Sequence, residues 1–494
     1  MALDHLDDYF PDWKEREALA EAMIPMIGQL YRKNIVTYLF GRALYNKSVT
    51  DIMSTHRFVR QTAQNELSEF ETYPMLKAVA ELDCGPAHFD LGQLTVKHMN
   101  LCEYGEDPPT VEDYAREQCA HVLGRHVKPL AKPQDVVLYG FGRIGRLLAR
   151  LLIEKTGSGD QLRLRAVVLR PAAQNDLEKR ALLLRHDSVH GDFSGTIRID
   201  RENNCLIVNG NVVRFIYATN PAEVDYEQHG IENVLVIDTT GVWRNETGLG
   251  QHLEAKGVDR VIVTAPSKGE VPNIVSGINS HTLSTDQKII SAGSCTTNAI
   301  VPILKVMDNK YRIEYGHMET VHAYTPDQNL TDNYHKKDRR GRGAPLNLVI
   351  TETGASKAVA SFLPHLKGRL TGNAIRVPLP NVSLAILNLT IQSETTKDEV
   401  TRYLRDVSLF STLQRQIDYT QESEVVSSDF IGNRHACIVD GQATIVADDG
   451  KHVQIYAWYD NEFGYCCQVI RVVQKWAGIQ YPLVPVDIEE MGFG

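Results

Sequence analysis

Cys295 stands in Ser294-Cys295-Thr296-Thr297-Asn298, between the β-branched run Lys288 to Ser291 and an apolar stretch of helical texture, so the spacing sets it at a helix N-terminus. There the helix dipole favours a thiolate. A cysteine is often no more than a small buried hydrophobe, but hydroxyls and an amide on both sides suit a wet, anion-binding turn better than a core. His322 lies in the alternating run Glu319-Thr320-Val321-His322-Ala323-Tyr324-Thr325, with Asp327 and Gln328 just beyond. It is either a structural histidine or the general base that a thiol nucleophile requires.

A second constellation could hold a phosphate-bearing ligand. Gly140-Phe141-Gly142-Arg143-Ile144-Gly145 follows the run Val136 to Tyr139 and opens the helical stretch Arg146 to Ile153. Glycines so placed permit a tight turn and let a pyrophosphate approach the helix N–H groups, which predicts a dinucleotide site. The acid that would bond the ribose 2'-hydroxyl of NAD is missing, because Ala166-Val167-Val168-Leu169 is followed by Arg170 and Pro171. A guanidinium suits a 2'-phosphate, so Arg170 either reads NADP, alone or alongside NAD, or merely faces solvent. His186 and His190 have the spacing of a helical metal pair, but no third ligand lies nearby in sequence and no metal is expected.

Both constellations need elements to position them. Up to about residue 130 the pattern is helical: Ile27, Leu30, Tyr31, Ile35, Tyr38 and Leu39 recur at three- and four-residue spacing, and Tyr73-Pro74, Gly85-Pro86 and Glu106-Asp107-Pro108-Pro109 act as breakers between helices. Lys128-Pro129-Leu130-Ala131-Lys132-Pro133 has the composition of a linker. From Asp135, short β-branched runs alternate with helical patterns, as a doubly wound parallel sheet requires. Past Cys295 the runs lengthen and become amphipathic, which predicts a second domain with a mainly antiparallel sheet covered by helices.

Composition bounds the rest. The chain has 494 residues, 43 % hydrophobic and 23 % charged, too long for one core and too apolar for bulk disorder. Lys plus Arg is 52 against 62 for Asp plus Glu, a formal charge of -10 that offers no global field for nucleic acid or an anionic membrane. Eight cysteines with no C-x-x-C spacing fit a reducing cytoplasm better than a disulfide framework. The acidic start lacks the apolar run of a signal peptide, and no stretch of apolar residues is long enough to suggest a membrane span.

The ordered motifs SCTTN, TVHAYT, GRGAP, TGASKAV, RVPLPNVS, EVVSSDF and WYDNEFGY resemble the glyceraldehyde-3-phosphate dehydrogenase family over about Asp135 to Gly478. The resemblance implies a Rossmann domain over 132–294 with a helix at 462–478 packing back on it and a catalytic domain over 295–461; it leaves without counterpart residues 1–131, which the helical spacing makes an all-α extension, and the tail 479–494, which is expected to pack on that extension. It implies that Cys295 attacks an aldehyde carbon, with His322 as base, to give a thioester that inorganic phosphate releases as an acyl phosphate. Thr325, Asp327, Arg342 and Arg376 match the family's site for the substrate phosphate, and Ser294, Thr296, Thr353 and Gly354 its site for the attacking one.

On the cofactor side Gly140, Gly142, Arg143, Ile144, Gly145, Thr240, Gly241, Ser267, Asn461 and Tyr465 fall where the family lines its pocket. Asn333-Tyr334 replaces a Leu-Pro common in NAD-specific members, a departure in the same direction as Arg170. A homotetramer of dihedral symmetry is implied. Erythrose-4-phosphate dehydrogenase, or a recruited interaction protein on the same fold, are the competing functions. For the extension, three roles stand open: a subunit-docking domain, a cover near the cofactor cleft, or a scaffold for another protein.

Overall fold

Every residue of the strand Gln134–Tyr139 is buried. Val136 and Leu138 pack into one apolar cluster while Val137 and Tyr139 pack into another, as a strand covered on both faces must do. The computed structural model describes residues 8–63, 67–105, 107–170 and 175–486; Pro171 and residues 487–494 of the tail lie outside the described residues. Gln134–Tyr139 sits inside an eight-stranded sheet of order Ile289–Ser291, Val258–Val263, Val234–Asp238, Gln134–Tyr139, Leu162–Leu169, Asn211–Tyr217, Cys205–Val208, Ile197–Asp200. The first six run parallel and the last two antiparallel. Chain order reverses on either side of Gln134–Tyr139, so its following turn opens at the crevice where such sheets take ligands.

The second sheet has seven strands in the order Val349–Glu352, Leu370–Val377, Ile313–Ala323, Ser383–Ile391, His452–Tyr459, Cys437–Val446, Ile417–Thr420. It is mainly antiparallel as expected, with two parallel pairs, one of which joins Ile313–Ala323 to Leu370–Val377. Helices Cys295–Tyr311 and Lys397–Phe410 bury their apolar faces against it. The chain then returns to the first sheet, where helix Phe463–Trp476 packs on helix Arg143–Glu154 in a shared core.

The extension is helical in the main, with helices Tyr9–Arg32, Val49–Ala63, Glu69–Glu81, Leu91–Tyr104 and Val111–Gln118, but it is not all-α. The helical spacing that continues through Ile35, Tyr38 and Leu39 ends at Arg32, because Asn34 turns the chain with φ of +62°. Ile35–Leu39 is a strand buried at all five positions, which is why no alternation betrays it. It pairs with Arg42–Ala43 on one side and Ala87–Asp90 on the other, and Leu483–Val484 from the tail completes the sheet beside Ala87–Asp90. Pro74 lies within Glu69–Glu81 instead of breaking it, in a helix started by the reciprocal capping of Ser68 and Glu71.

This unit packs on the two-sheet core of its own chain. Arg42 forks onto Asp418 at 2.6 and 2.7 Å, Gln93 donates to Gln414 Oε1 at 3.0 Å, and the Tyr31 hydroxyl donates to the Glu154 carbonyl at 2.8 Å.

Candidate active site

The helix Cys295–Tyr311 starts at the cysteine for local reasons. Gly293, with φ of +66°, turns the chain out of the strand Ile289–Ser291, and the Ser294 Oγ accepts the Thr297 N–H at 2.9 Å as N-cap. From that start Cys295 Sγ lies 3.5 Å from His322 Nε2, near the end of the strand Ile313–Ala323. The two sequence-predicted groups therefore meet.

The turn is not wet in the way its hydroxyls suggest. Thr296, Thr297 and Asn298 are buried, and their polar atoms find partners inside the protein: Asn298 Nδ2 donates to the carbonyls of Ala292 (2.8 Å) and Ser294 (2.9 Å). Thr296 Oγ1 lies 3.0 Å from the Tyr459 hydroxyl, which lies 2.6 Å from Thr320 Oγ1. Tyr459, whose ring meets His322 edge-on, is a site residue that the sequence did not single out.

Burial opposes any lone charge here. It pushes the Cys295 thiol up, against the helix dipole, with Arg376 pulling it back down. It pushes His322 down to about 3, and Arg376 adds to that shift. Moving one proton from Sγ to Nε2 creates both charges together, so the two groups ionise as a pair. His322 Nδ1 is 2.7 Å from the Ala323 carbonyl and 2.8 Å from Arg376 Nη1. The tautomer that serves as base carries its proton on Nδ1, donated to Ala323, and turns a lone pair on Nε2 toward the sulfur.

Beside this pair sits a cationic, hydroxyl-rich cluster. Arg376 Nη1 donates to the Ala323 carbonyl at 3.0 Å and to Thr325 Oγ1 at 3.4 Å; Thr325 donates to Asp327, whose Oδ2 takes Arg340 Nη1 at 2.5 Å. Burial raises the Asp327 carboxyl, but the Thr325 hydroxyl and Arg340 together hold it below its ordinary value. Arg342, expected here, stands outside the cluster: its side chain is 66 % exposed and pairs with Asp332 at 2.8 Å. Arg340, two residues earlier and 5 % exposed, occupies the inward position because the loop brings it against Asp327 and Thr351. Lys336, Lys337, Arg339, Arg340 and Arg342 crowd into seven residues, so the sequence does not tell which cation faces inward. Thr353 and Gly354 lead into the short helix Ala355–Val359, which packs on Cys295–Tyr311.

The glycine turn is shaped for close approach. Gly140 has φ of +104°, a Cβ at Gly145 would stand 2.5 Å from the Gly140 carbonyl, and one at Gly142 would meet only open space before the helix Arg143–Glu154. A pyrophosphate fits that open face and the exposed helix start. Arg143 braces it from behind, bonded to Glu462 at 2.5 Å and Asp187 at 3.2 Å, while Ile144 and Tyr465 help to build the core beneath. Thr240 is fixed by Asp238 at 2.7 Å next to Gly241, and Ser267 by Asn273 at 3.2 Å. Asn461 Oδ1 accepts the Ser383 hydroxyl at 2.8 Å, which aims its Nδ2 donors elsewhere. Arg170 is exposed at the end of Leu162–Leu169, with no carboxylate paired to it among the described residues.

His186 and His190 stand on a two-stranded hairpin, not a helix, and bond to Asp192 (2.6 Å) and Asp460 (3.2 Å). No metal-binding group of three ligands occurs among the described residues, and no helix among them is long and apolar enough to cross a membrane.

Residues 134–246 match the family model for the NAD binding domain of glyceraldehyde 3-phosphate dehydrogenase, and residues 294–461 match the model for its C-terminal domain. The chain is 56 % identical over 466 residues to a glyceraldehyde-3-phosphate dehydrogenase-like protein of Pseudomonas aeruginosa, covering 94 % of this chain and 100 % of that one. The chain belongs to the glyceraldehyde-3-phosphate dehydrogenase family. It is 38 % identical over 350 residues to the glyceraldehyde-3-phosphate dehydrogenase of Borreliella burgdorferi, covering 69 % of this chain and 98 % of that one. Against chloroplastic glyceraldehyde-3-phosphate dehydrogenase GAPA1 of Arabidopsis thaliana it is 40 % identical over 338 residues, 68 % of this chain and 81 % of that one. The Pseudomonas match is too long to fit within the dehydrogenase core, so it reaches into the extension. This is a family oxidoreductase with an added N-terminal unit.

Proposed function

We propose that the chain is a phosphorylating glyceraldehyde-3-phosphate dehydrogenase, converting the aldehyde, inorganic phosphate and NAD(P) into 1,3-bisphosphoglycerate and reduced cofactor, reversibly. The observation that carries this reading is the 3.5 Å approach of Cys295 Sγ to His322 Nε2 beside the Arg376 and Arg340 guanidinium groups.

In this reading Sγ bonds to the aldehyde carbon while its proton passes to His322 Nε2. The carbonyl oxygen, now negative, takes hydrogen bonds from the Cys295 backbone N–H, free at the helix start, and from the imidazolium, then gains the proton as a hemithioacetal hydroxyl. When bound, the nicotinamide supplies the acceptor for the hydride that leaves this carbon. His322 removes the hydroxyl proton as the carbonyl re-forms, leaving a Cys295 thioester. Phosphate oxygen attacks that carbonyl, the C–S bond breaks, and Sγ departs to recover its proton from His322. Arg376, Arg340 and Thr325 hold the substrate's phosphate; Ser294, Thr296, Thr353 and Gly354 border the attacking one. Asn461 directs its amide to the nicotinamide carboxamide.

Arg170, exposed where the NAD-reading acid would stand, supports use of NADP at least comparable to NAD. Tyr334, Leu346 and Leu348, 87, 87 and 70 % exposed on one segment, support burial between subunits of a homotetramer. Eight free thiols suit a reducing cytoplasm.

The test is cofactor reduction by the purified protein with glyceraldehyde 3-phosphate, with and without inorganic phosphate. Turnover that needs phosphate supports the assignment; faster turnover of erythrose 4-phosphate without phosphate would replace it.

A further inference from the structure

Where the extension meets the core, cations gather around cavity walls that carry no carboxylate. Two adjoining cavities of about 300 and 150 Å³ share Arg415 and Arg471 in their walls. The larger adds Lys475, His88 and Tyr481; the smaller adds Lys155, Arg42 and Arg434. No Asp or Glu lines either one.

Arg42 and Arg434 are neutralised from outside the walls, by Asp418 at 2.6 Å and Glu154 at 2.7 Å. Arg415, Arg471 and Lys155 form no ion pair among the described residues. Arg415 lies 5.2 Å from the Tyr38 ring centroid, its Nη1 is 3.4 Å from His88 Nδ1, and its Nε is buried with no partner. Arg471 donates to the Arg415 carbonyl and to Gln468 Oε1 at 2.8 Å; Lys155 Nζ donates to the Tyr45 hydroxyl at 3.1 Å. These are neutral acceptors. Burial first and Arg415 second press Arg471 down to about 9, and burial followed by Arg415, Lys155 and Arg471 holds His88 well below its ordinary value. Such a cluster repels itself until an anion enters.

We propose that this interface is a binding site for a small anion carrying two phosphate groups, one held by Arg415, Arg471 and Lys475 and the other reaching toward Lys155. Guanidinium forks match phosphate oxygens, the combined cavity admits a molecule of that size, and walls without a carboxylate offer a cationic ligand no counter-charge. Its walls come from the extension (His88, Tyr38), the tail (Tyr481) and the core (Arg415, Arg471), so the anion fastens the extension to the dehydrogenase. None of these residues belongs to the catalytic cluster.

The experiment uses the whole chain, with pyrophosphate as probe in titration calorimetry and thermal unfolding, and KCl matched in ionic strength as control. Since the substrate phosphate site also attracts anions, Arg376→Met is measured in parallel. Pyrophosphate is expected to raise Tm in the wild type and in Arg376→Met, and its affinity to fall tenfold or more in Arg415→Met and Arg471→Met. Without ligand, Arg471→Met melts no lower than the wild type, because a repelling charge is gone. Lys475→Ala, at the partly exposed rim, serves if those variants fail to fold and should weaken binding severalfold. No heat and no Tm shift would overturn the site, as would a shift that persists in Arg415→Met and Arg471→Met, stays undiminished in Lys475→Ala, or disappears only in Arg376→Met.

Discussion

His322 and Arg376 face each other in register on neighbouring parallel strands, with Arg376 Nη1 2.8 Å from the imidazole Nδ1. The guanidinium discourages protonation of the base while standing ready for a substrate phosphate. In the proposed reaction one side chain would act on both halves of the chemistry, and it is positioned by the less common, parallel pairing of the second sheet.

The base should leave a mark on stability. Burial, reinforced by Arg376, brings His322 from the usual 6.5 down to about 3 in the fold. Between those values the unfolded chain binds a proton that the folded chain does not, so stability rises with pH across the window and is lost as pH falls through it, by up to about 1.4 kcal/mol per unit. His435, lowered to about 4, contributes in the same direction. His322→Asn should flatten the slope of Tm against pH between roughly 3 and 6.5 relative to wild type. An unchanged slope would mean the imidazole is already charged in the fold.

The same substitution tests the pairing itself. With burial pushing the Cys295 thiol up, the thiolate depends on its proton acceptor. In His322→Asn, alkylation of Cys295 by iodoacetamide should inflect at higher pH than in wild type, and turnover should fall by about a hundredfold or more. Cys295→Ser should remove activity outright.

Arg340 and Arg342 make a matched pair of controls. Losing a charge-assisted hydrogen bond to phosphate costs about 1.5–3 kcal/mol, so Arg340→Met should raise KM for the phosphorylated aldehyde roughly tenfold or more. Arg342→Met, which breaks only the exposed pair with Asp332, should change KM less than about twofold. Equal effects would return Arg342 to the substrate site.

Arg170→Ala should weaken NADP selectively. Comparing kcat/KM for the two cofactors decides it: equal losses would mean that Arg170 does not touch the 2'-phosphate.

Gly41 tests the fit of the extension. Its φ is +75° and a Cβ there would stand 2.6 Å from the Gln414 carbonyl, whereas Gly124, with φ of +67°, has open space around it. Gly124→Ala should cost about 1 kcal/mol for backbone strain alone, and Gly41→Ala several-fold more, read as Tm. Equal losses would show that the interface yields freely.

Much of the candidate site was legible because it is local: Ser294 caps, Gly293 turns and Cys295 opens a helix within a few residues, and the glycine turn follows its strand directly. What stayed hidden depends on distant partners. Tyr459 and Thr296 are joined across the sheet, and Arg340 differs from Arg342 only in which way the loop faces. Ile35–Leu39 carries apolar residues at helical spacing, yet burial on both faces removes the alternation that would mark a strand, and Asn34 alone announces the change.

The sheet begun by Ile35–Leu39 is finished by Leu483–Val484. During translation the edge of Ala87–Asp90 therefore lacks this partner until both sheets of the dehydrogenase core have been made. For this sheet the order of synthesis and the order of assembly differ: the strand that closes it is made only after both of the domains it must reach across.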